Sequence, residues 1–156
     1  MNGLSVGSEA PDFSLLRGLQ DPVTLSEHRG DPVVLMFVPL AFSGVCTEEF
    51  CHVGENWDVW GSLGATVYGI SIDSPFVNQQ WAKDMDVPFT ILSDFNKTAA
   101  AAYGVLAEDL AGLRGLAKRS VFVVDREGRI SYAWVSDDPG VLPPFKDVLA
   151  AVRALD

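Results

Sequence analysis

One segment constrains the fold more than any other: Pro32, then the unbroken apolar run Val33-Val34-Leu35-Met36-Phe37-Val38, then Pro39. Six apolar residues without polar alternation read as a strand buried on both faces, at the centre of a sheet. Pro39 ends it, because proline has no N–H to donate to a ladder. Ala65–Ile72 reads as a second such strand, closed by Asp73-Ser74.

The rest of the chain supplies what packs around those strands. Residues 10–26 read as a small extended hairpin: Phe13 and Leu15 alternate, Arg17-Gly18 turns, and Val23 and Leu25 return. Ser74-Pro75 is a helix start, with the stripe Val77, Trp81 and Met85 behind it. Phe89–Leu92 is a short strand, and Lys97–Tyr103 an alanine-rich helix ending at Gly104. Ser120–Asp125 and Arg129–Val135 form a hairpin around Arg126-Glu127-Gly128, and Phe145, Val148, Leu149, Val152 and Leu155 stripe a final helix. This order predicts an α/β fold, a central mixed β-sheet flanked by helices. A thioredoxin-like arrangement with an N-terminal β-hairpin extension fits it. There is no repeat and no linker, so residues 1–156 are expected to form one domain.

Composition removes several functions. Hydrophobic residues at 48% and charged residues at 21% exclude wholesale disorder. Eleven Lys+Arg against 21 Asp+Glu leave a net charge of −10, the wrong sign for nucleic acid or an anionic membrane. No apolar run approaches the ~20 residues of a membrane span. The start, Met-Asn-Gly-Leu-Ser-Val-Gly, lacks the regions of a signal peptide. A cytoplasmic location is therefore expected, where thiols are kept reduced.

Beyond the Pro39–Val45 loop, Cys46 to about Leu63 reads as one helix. Cys46, Phe50, Val53, Trp57 and Trp60 recur at spacings of 4, 3, 4 and 3, a single stripe at helical period. Cys46 falls in the first turn, where unpaired N–H groups and the helix dipole favour an anion. Thiols so placed are the reactive ones. Cys51 projects to the other side of the wheel, with Glu48, Glu55 and Asp58. In an intact helix a five-residue step separates Cα atoms by about 8.5 Å. A disulfide wants less than about 7 Å, so Cys46 and Cys51 can bond only if the first turns unwind.

Other chemistry is poorly provided for. Zinc needs four ligands, and His28 and His52 are the only further soft donors. No Cys-x-x-Cys occurs, which argues against an ordinary dithiol oxidoreductase. No metal, flavin, haem or nucleotide motif appears, so no cofactor is expected.

The stretch Pro39-Leu40-Ala41-Phe42-Ser43-Gly44-Val45-Cys46 resembles the peroxiredoxin signature Pro-x-x-x-Thr/Ser-x-x-Cys. Ala10-Pro11-Asp12-Phe13, Arg29-Gly30, Asp94-Phe95, Tyr103-Gly104-Val105 and Arg119 ahead of Val121–Asp125 are similar to the same family, in order and across nearly the whole chain. The Pro-Leu-Ala-Phe-Ser loop and Ser-Asp-Phe-Asn resemble the alkyl hydroperoxide reductase E group. A second cysteine five residues after the first is similar to the bacterioferritin comigratory protein group.

That resemblance implies a thiol peroxidase acting on hydrogen peroxide, alkyl hydroperoxides and peroxynitrite, an antioxidant role. Cys46 would be the peroxidatic cysteine and pass through a sulfenic acid. Arg119 would steady the thiolate and the peroxide, Ser43 would orient the oxygen under attack, and Pro39 would shield the sulfur. Threonine is commoner in the family where this chain has Ser43. Cys51 would be the resolving cysteine, closing an intramolecular disulfide. The reductant would be thioredoxin, or a glutaredoxin-like protein with mycothiol, and a homodimer is the assembly expected. Two alternatives stay open: a peroxide sensor or relay that docks a partner protein, and a one-cysteine peroxidase recycled by an external thiol. Phe42 would line the pocket mouth or a dimer contact beside it.

Overall fold

The computed structural model describes residues 3–156. Met1 and Asn2, the first residues of the start read for a leader, lie outside the described residues. Seven strands form one sheet: β1 (Ser14–Gly18), β2 (Asp21–Thr24), β3 (Val33–Phe37), β4 (Thr66–Ser71), β5 (Thr90–Ser93), β6 (Ser120–Val124) and β7 (Ile130–Val135). Their order is β2-β1-β5-β4-β3-β6-β7. The sheet is mixed: β3 runs parallel to β4 and antiparallel to β6, with Phe37 between Ile70 and Ser120. Among the described residues no helix is long and apolar enough to cross a membrane.

The apolar run behaves as its composition requires. Val33, Leu35 and Phe37 enter a core with Ile70, Phe122 and Tyr103, and Val34, Met36 and Val38 enter a second core with Phe50, Trp81 and Val148. A strand's side chains alternate between faces, so apolar residues at every position require cover on both. Helix α4 (Thr98–Ala102) contributes to the first core. Helices α1 (Gly44–Glu55), α2 (Trp57–Trp60), α3 (Pro75–Met85) and α5 (Phe145–Arg153) cover the second. Gly69 in β4 sets how closely α1 approaches: a Cβ there would lie 2.6 Å from Cζ of Phe50. Phe50 stands on the same stripe as Cys46, so this glycine helps fix the depth of the sulfur.

Two local expectations are corrected. The N-terminal hairpin turns at Leu19-Gln20 rather than at Arg17-Gly18, with Gln20 at φ 60. Arg17 stays within β1, and its Nε donates to the Asp21 carboxylate at 2.8 Å across the turn. Leu25 lies in a 3-10 turn, Leu25–His28, and not in a strand. The hairpin also extends the main sheet, since Leu16 pairs with Ser93 of β5.

The helix expected to run unbroken from Cys46 to Leu63 is interrupted at Asn56, which takes φ −108 and ψ 28. Its side-chain amide donates to the His52 carbonyl at 2.8 Å, a local bond that competes with continuation of the helix. Trp60 is buried all the same, because the chain resumes a helical course over Trp57–Trp60.

Candidate active site

The loop after β3 is held from below. Ala41 N–H donates to Asp73 Oδ2 at 2.7 Å, which anchors it to the end of β4. Phe42 takes φ 66, a left-handed conformation that costs a non-glycine residue about 1–2 kcal/mol. Its ring turns toward Trp81, with centroids 6.2 Å apart, and is not part of the cavity wall. Ser43 then starts α1 in extended conformation, and its hydroxyl donates to the Leu40 carbonyl at 3.0 Å. The first intrahelical bond runs from Thr47 N–H to the Ser43 carbonyl at 2.9 Å. The amides of Gly44, Val45 and Cys46 precede it, as first-turn amides must.

Cys46 is fully buried and is a free thiol. Arg119 lies 73 residues along the chain, immediately before β6, and its Nη2 donates to Cys46 Sγ at 3.3 Å. Arg119 is only 1% exposed. Its Nε and Nη2 both donate to the Pro139 carbonyl, at 3.1 and 2.8 Å, and its Nη1 to Glu49 Oε1 at 2.9 Å. The guanidinium plane is thus gripped on three sides. Burial opposes its charge, yet Cys46 and then Glu49 outweigh that and hold its proton above the ordinary arginine range.

Pro39, Ser43 and Arg119 share the wall of one cavity of about 340 Å³ with Leu40, Leu110, Leu113 and Leu116. Cys46 lies behind that wall and joins the group through its contact with Arg119, so the structure brings together Cys46, Arg119, Ser43 and Pro39. Cys51 stands apart: it is a second free thiol further along α1, partly covered rather than fully on the solvent face. Burial, then the nearby Glu55, pushes its thiol above the ordinary cysteine range.

Glu49, Pro139 and Asp73 are the site residues that the sequence reading missed. A signal existed for Glu49, which falls three residues after Cys46 and so lies beside the apolar stripe. A carboxylate there is buried and needs a cation. Nothing local marks Pro139 or Asp73, since each acts through a contact made only in the folded chain.

Glu49 is fully buried, and among the described residues its Oε2 has no hydrogen-bond partner. Burial raises its carboxyl to about 7, with the charge and hydrogen bond of Arg119 pulling the other way. Between the ordinary carboxylate range and about 7 the folded chain therefore binds more protons at Glu49 than the unfolded chain. This contribution to stability is complete below about 4.5 and is lost as pH rises through about 7. Glu49→Gln is expected to remove that loss, on the order of 3 kcal/mol at most. Urea unfolding of both proteins at pH 5 and pH 8 measures it, and an identical pH response in the two would contradict it.

The AhpC/TSA family pattern matches residues 6–133 of this chain. The chain therefore belongs to the AhpC/TSA family, the peroxiredoxins, and is a thiol-dependent peroxidase. Alkyl hydroperoxide reductase E of Mycobacterium tuberculosis is 36% identical, covering 97% of this chain and 99% of its own length. The putative peroxiredoxin bcp of Coxiella burnetii is 33% identical, over 84% of this chain and 88% of its own. Among solved structures, peroxidoxin BcpB from Mycobacterium tuberculosis superposes with a TM-score of 0.83 at 30% identity, covering 98% of this chain and 99% of that one. These relatives establish the thioredoxin-like peroxiredoxin fold expected from the sequence.

Proposed function

We propose that Cys46 is the peroxidatic cysteine and that the protein reduces hydrogen peroxide, alkyl hydroperoxides and peroxynitrite by a two-cysteine cycle. The observation that carries this reading is the buried contact of 3.3 Å between Cys46 Sγ and the Arg119 guanidinium. A fixed positive charge beside a sulfur, away from water, favours the anionic nucleophile and draws a polar oxidant to it.

The Cys46 thiolate attacks the terminal oxygen of the peroxide. An S–O bond forms, the O–O bond breaks, and the sulfur becomes a sulfenic acid. The departing oxygen leaves with the bonding pair: from hydrogen peroxide or an alkyl hydroperoxide it takes a proton and is released as water or alcohol, and from peroxynitrite it leaves as nitrite. Arg119 and the first-turn amides of α1 are donors aimed at that developing charge. Ser43 already donates to Leu40, so its free lone pairs serve as acceptors for the peroxide O–H. The leucine-rich wall of the cavity accommodates an alkyl group.

Cys51 then attacks the Cys46 sulfur, forming an S–S bond and releasing the sulfenic oxygen as water. Both cysteines lie in α1, so its first turns must open for this step. A dithiol reductant of the thioredoxin type, or a glutaredoxin-like protein with mycothiol, returns the pair to thiols. The chain is read as a single cytoplasmic domain over residues 1–156 that pairs as a homodimer. It needs no cofactor or metal.

One equivalent of hydrogen peroxide added to the reduced protein tests the cycle by thiol count and intact mass. Loss of both thiols at the mass of a single chain, without added oxygen or a covalent dimer, is expected. Loss of one thiol with added oxygen would replace the two-cysteine cycle with a one-cysteine enzyme. Two thiols still free would overturn the peroxidase reading of Cys46. Cys51→Ser is expected to complete the first oxidation at the wild-type rate and then stall with thioredoxin as reductant. Unchanged steady-state turnover would remove Cys51 from the resolving role.

A further inference from the structure

The Arg119 side chain meets a short turn that follows β7. Ser136 N–H donates to the Arg119 carbonyl at 2.9 Å, so the turn begins tied to the backbone of that same residue. Ser136 Oγ accepts from Asp138 N–H at 3.1 Å and donates to the Asp138 carbonyl at 2.9 Å. Val141 N–H donates to the same carbonyl at 3.2 Å, which closes the turn. Pro139 and Gly140, between these bonds, stand on the wall of the cavity that Arg119 and Ser43 line.

One peptide unit in this turn is held at both ends. Its carbonyl, that of Pro139, accepts from Arg119 Nε at 3.1 Å and from Nη2 at 2.8 Å. Its N–H, that of Gly140, donates to Asp138 Oδ1 at 2.9 Å. A trans peptide is planar with its C=O and N–H pointing opposite ways, so a partner that fixes the N–H also fixes the direction of the carbonyl. The guanidinium is planar as well. Gripping its Nε–Nη2 edge leaves the second Nη2 proton for Cys46 Sγ, 3.3 Å away. Glycine suits position 140, because a Cβ there would lie 3.3 Å from Asp138 Oδ1, tight against the carboxylate. The neighbouring carboxylate, Asp137, pairs instead with Lys118 at 2.7 Å. Hydrogen bonds in series polarise one another, so a carboxylate on the N–H makes the Pro139 carbonyl a stronger acceptor for the cation.

We infer that Asp138 is a positioning residue for the peroxide reaction: through the Pro139–Gly140 peptide it holds the Arg119 guanidinium in the orientation that places Nη2 on the Cys46 sulfur. The inference rests on the reading of Cys46 as the peroxidatic cysteine. Asp138 is itself exposed and acts only through that peptide. Glu49 keeps its own bond to Nη1, so loss of the Asp138 carboxylate loosens the guanidinium without releasing it.

The test uses the full chain, in stopped-flow oxidation by hydrogen peroxide and in nitrogen-15 spectra of the Arg119 side chain. Asp138→Ala is expected to slow oxidation of Cys46 by about five- to tenfold, the effect of losing one hydrogen bond to a charged group. Asp138→Asn keeps an acceptor at Oδ1 and is expected to restore the rate to within about threefold of wild type. The Arg119 Nε–H signal is assigned by its loss in the double variant Arg119→Met with Glu49→Gln, which removes both buried charges. That signal is expected to shift in Asp138→Ala and to return toward its wild-type position in Asp138→Asn. In the double-variant background Asp138→Ala is expected to slow nothing further, because a residue that acts through another is not additive with it. A wild-type rate in Asp138→Ala, an Arg119 signal that does not move, an Asn variant as slow as the Ala variant, or equal slowing in the background without Arg119 would each overturn the proposal. A wild-type chain that keeps both thiols free in peroxide would overturn the reading of Cys46 and this inference with it. The four outcomes before it are read on a wild type that reacts, so the two failures are told apart.

Discussion

Cys46→Ser is expected to reduce peroxide consumption to that of the buffer thiols alone. Serine keeps the shape of the side chain and its place in the first turn of α1, but a hydroxyl does not ionise near neutral pH or form a sulfenic acid. The fold loses little, since one buried atom is exchanged for a smaller one and Arg119 retains Glu49 and Pro139 as partners. Consumption of hydrogen peroxide with excess dithiol at pH 7, with circular dichroism to confirm folding, measures the effect. A folded variant that keeps more than about a hundredth of wild-type turnover would exclude Cys46 as the reacting group, because removing a nucleophile costs far more than that.

Arg119→Ala is expected to have the second largest effect, slowing the peroxide step by about 10²–10³, the usual cost of one preorganised donor at a developing charge. It carries a second consequence. Arg119 is the ion-pair partner of the buried Glu49, and removing one member of a buried pair costs about 3–5 kcal/mol. A slow variant could therefore be slow because it is unfolded. The double variant Arg119→Met with Glu49→Gln separates the two effects, as it removes both buried charges. It is expected to recover most of the stability in urea unfolding and to stay as slow as Arg119→Ala in stopped-flow peroxide oxidation. Recovery of the rate along with the stability would mean that Arg119 only holds the fold together.

The same pair shows how far local patterns reach. The stripe Cys46, Phe50, Val53 was readable at helical period, and α1 buries all three. The placement of Cys46 in a first turn was readable too, from the loop before it. Glu49 stands beside that stripe, but its burial made sense only once a cation was found to meet it, and that cation lies 70 residues away. The break at Asn56 was illegible for a different reason: apolar spacing persists through Trp57 and Trp60, and the competing bond is made by a polar side chain that periodicity does not weigh. The turn of the first hairpin slipped because Arg17-Gly18 resembles a turn, whereas Gly18 pairs with Asp21 and the reversal falls two residues on, at Leu19-Gln20.

By itself the amino-acid order determined the buried strand between Pro32 and Pro39, the apolar face of α1 and the presence of a cysteine at its start. These follow from hydrophobic period and from proline and helix-end chemistry, which act over a few residues. Only the tertiary structure decided that Arg119 reaches the sulfur, that the Pro139 carbonyl and Glu49 hold its guanidinium in place, and that Asp73 anchors the loop through Ala41. Each of those contacts joins segments more than 15 residues apart. Their geometry comes from the packing of helices on a mixed sheet, and no local spacing encodes it.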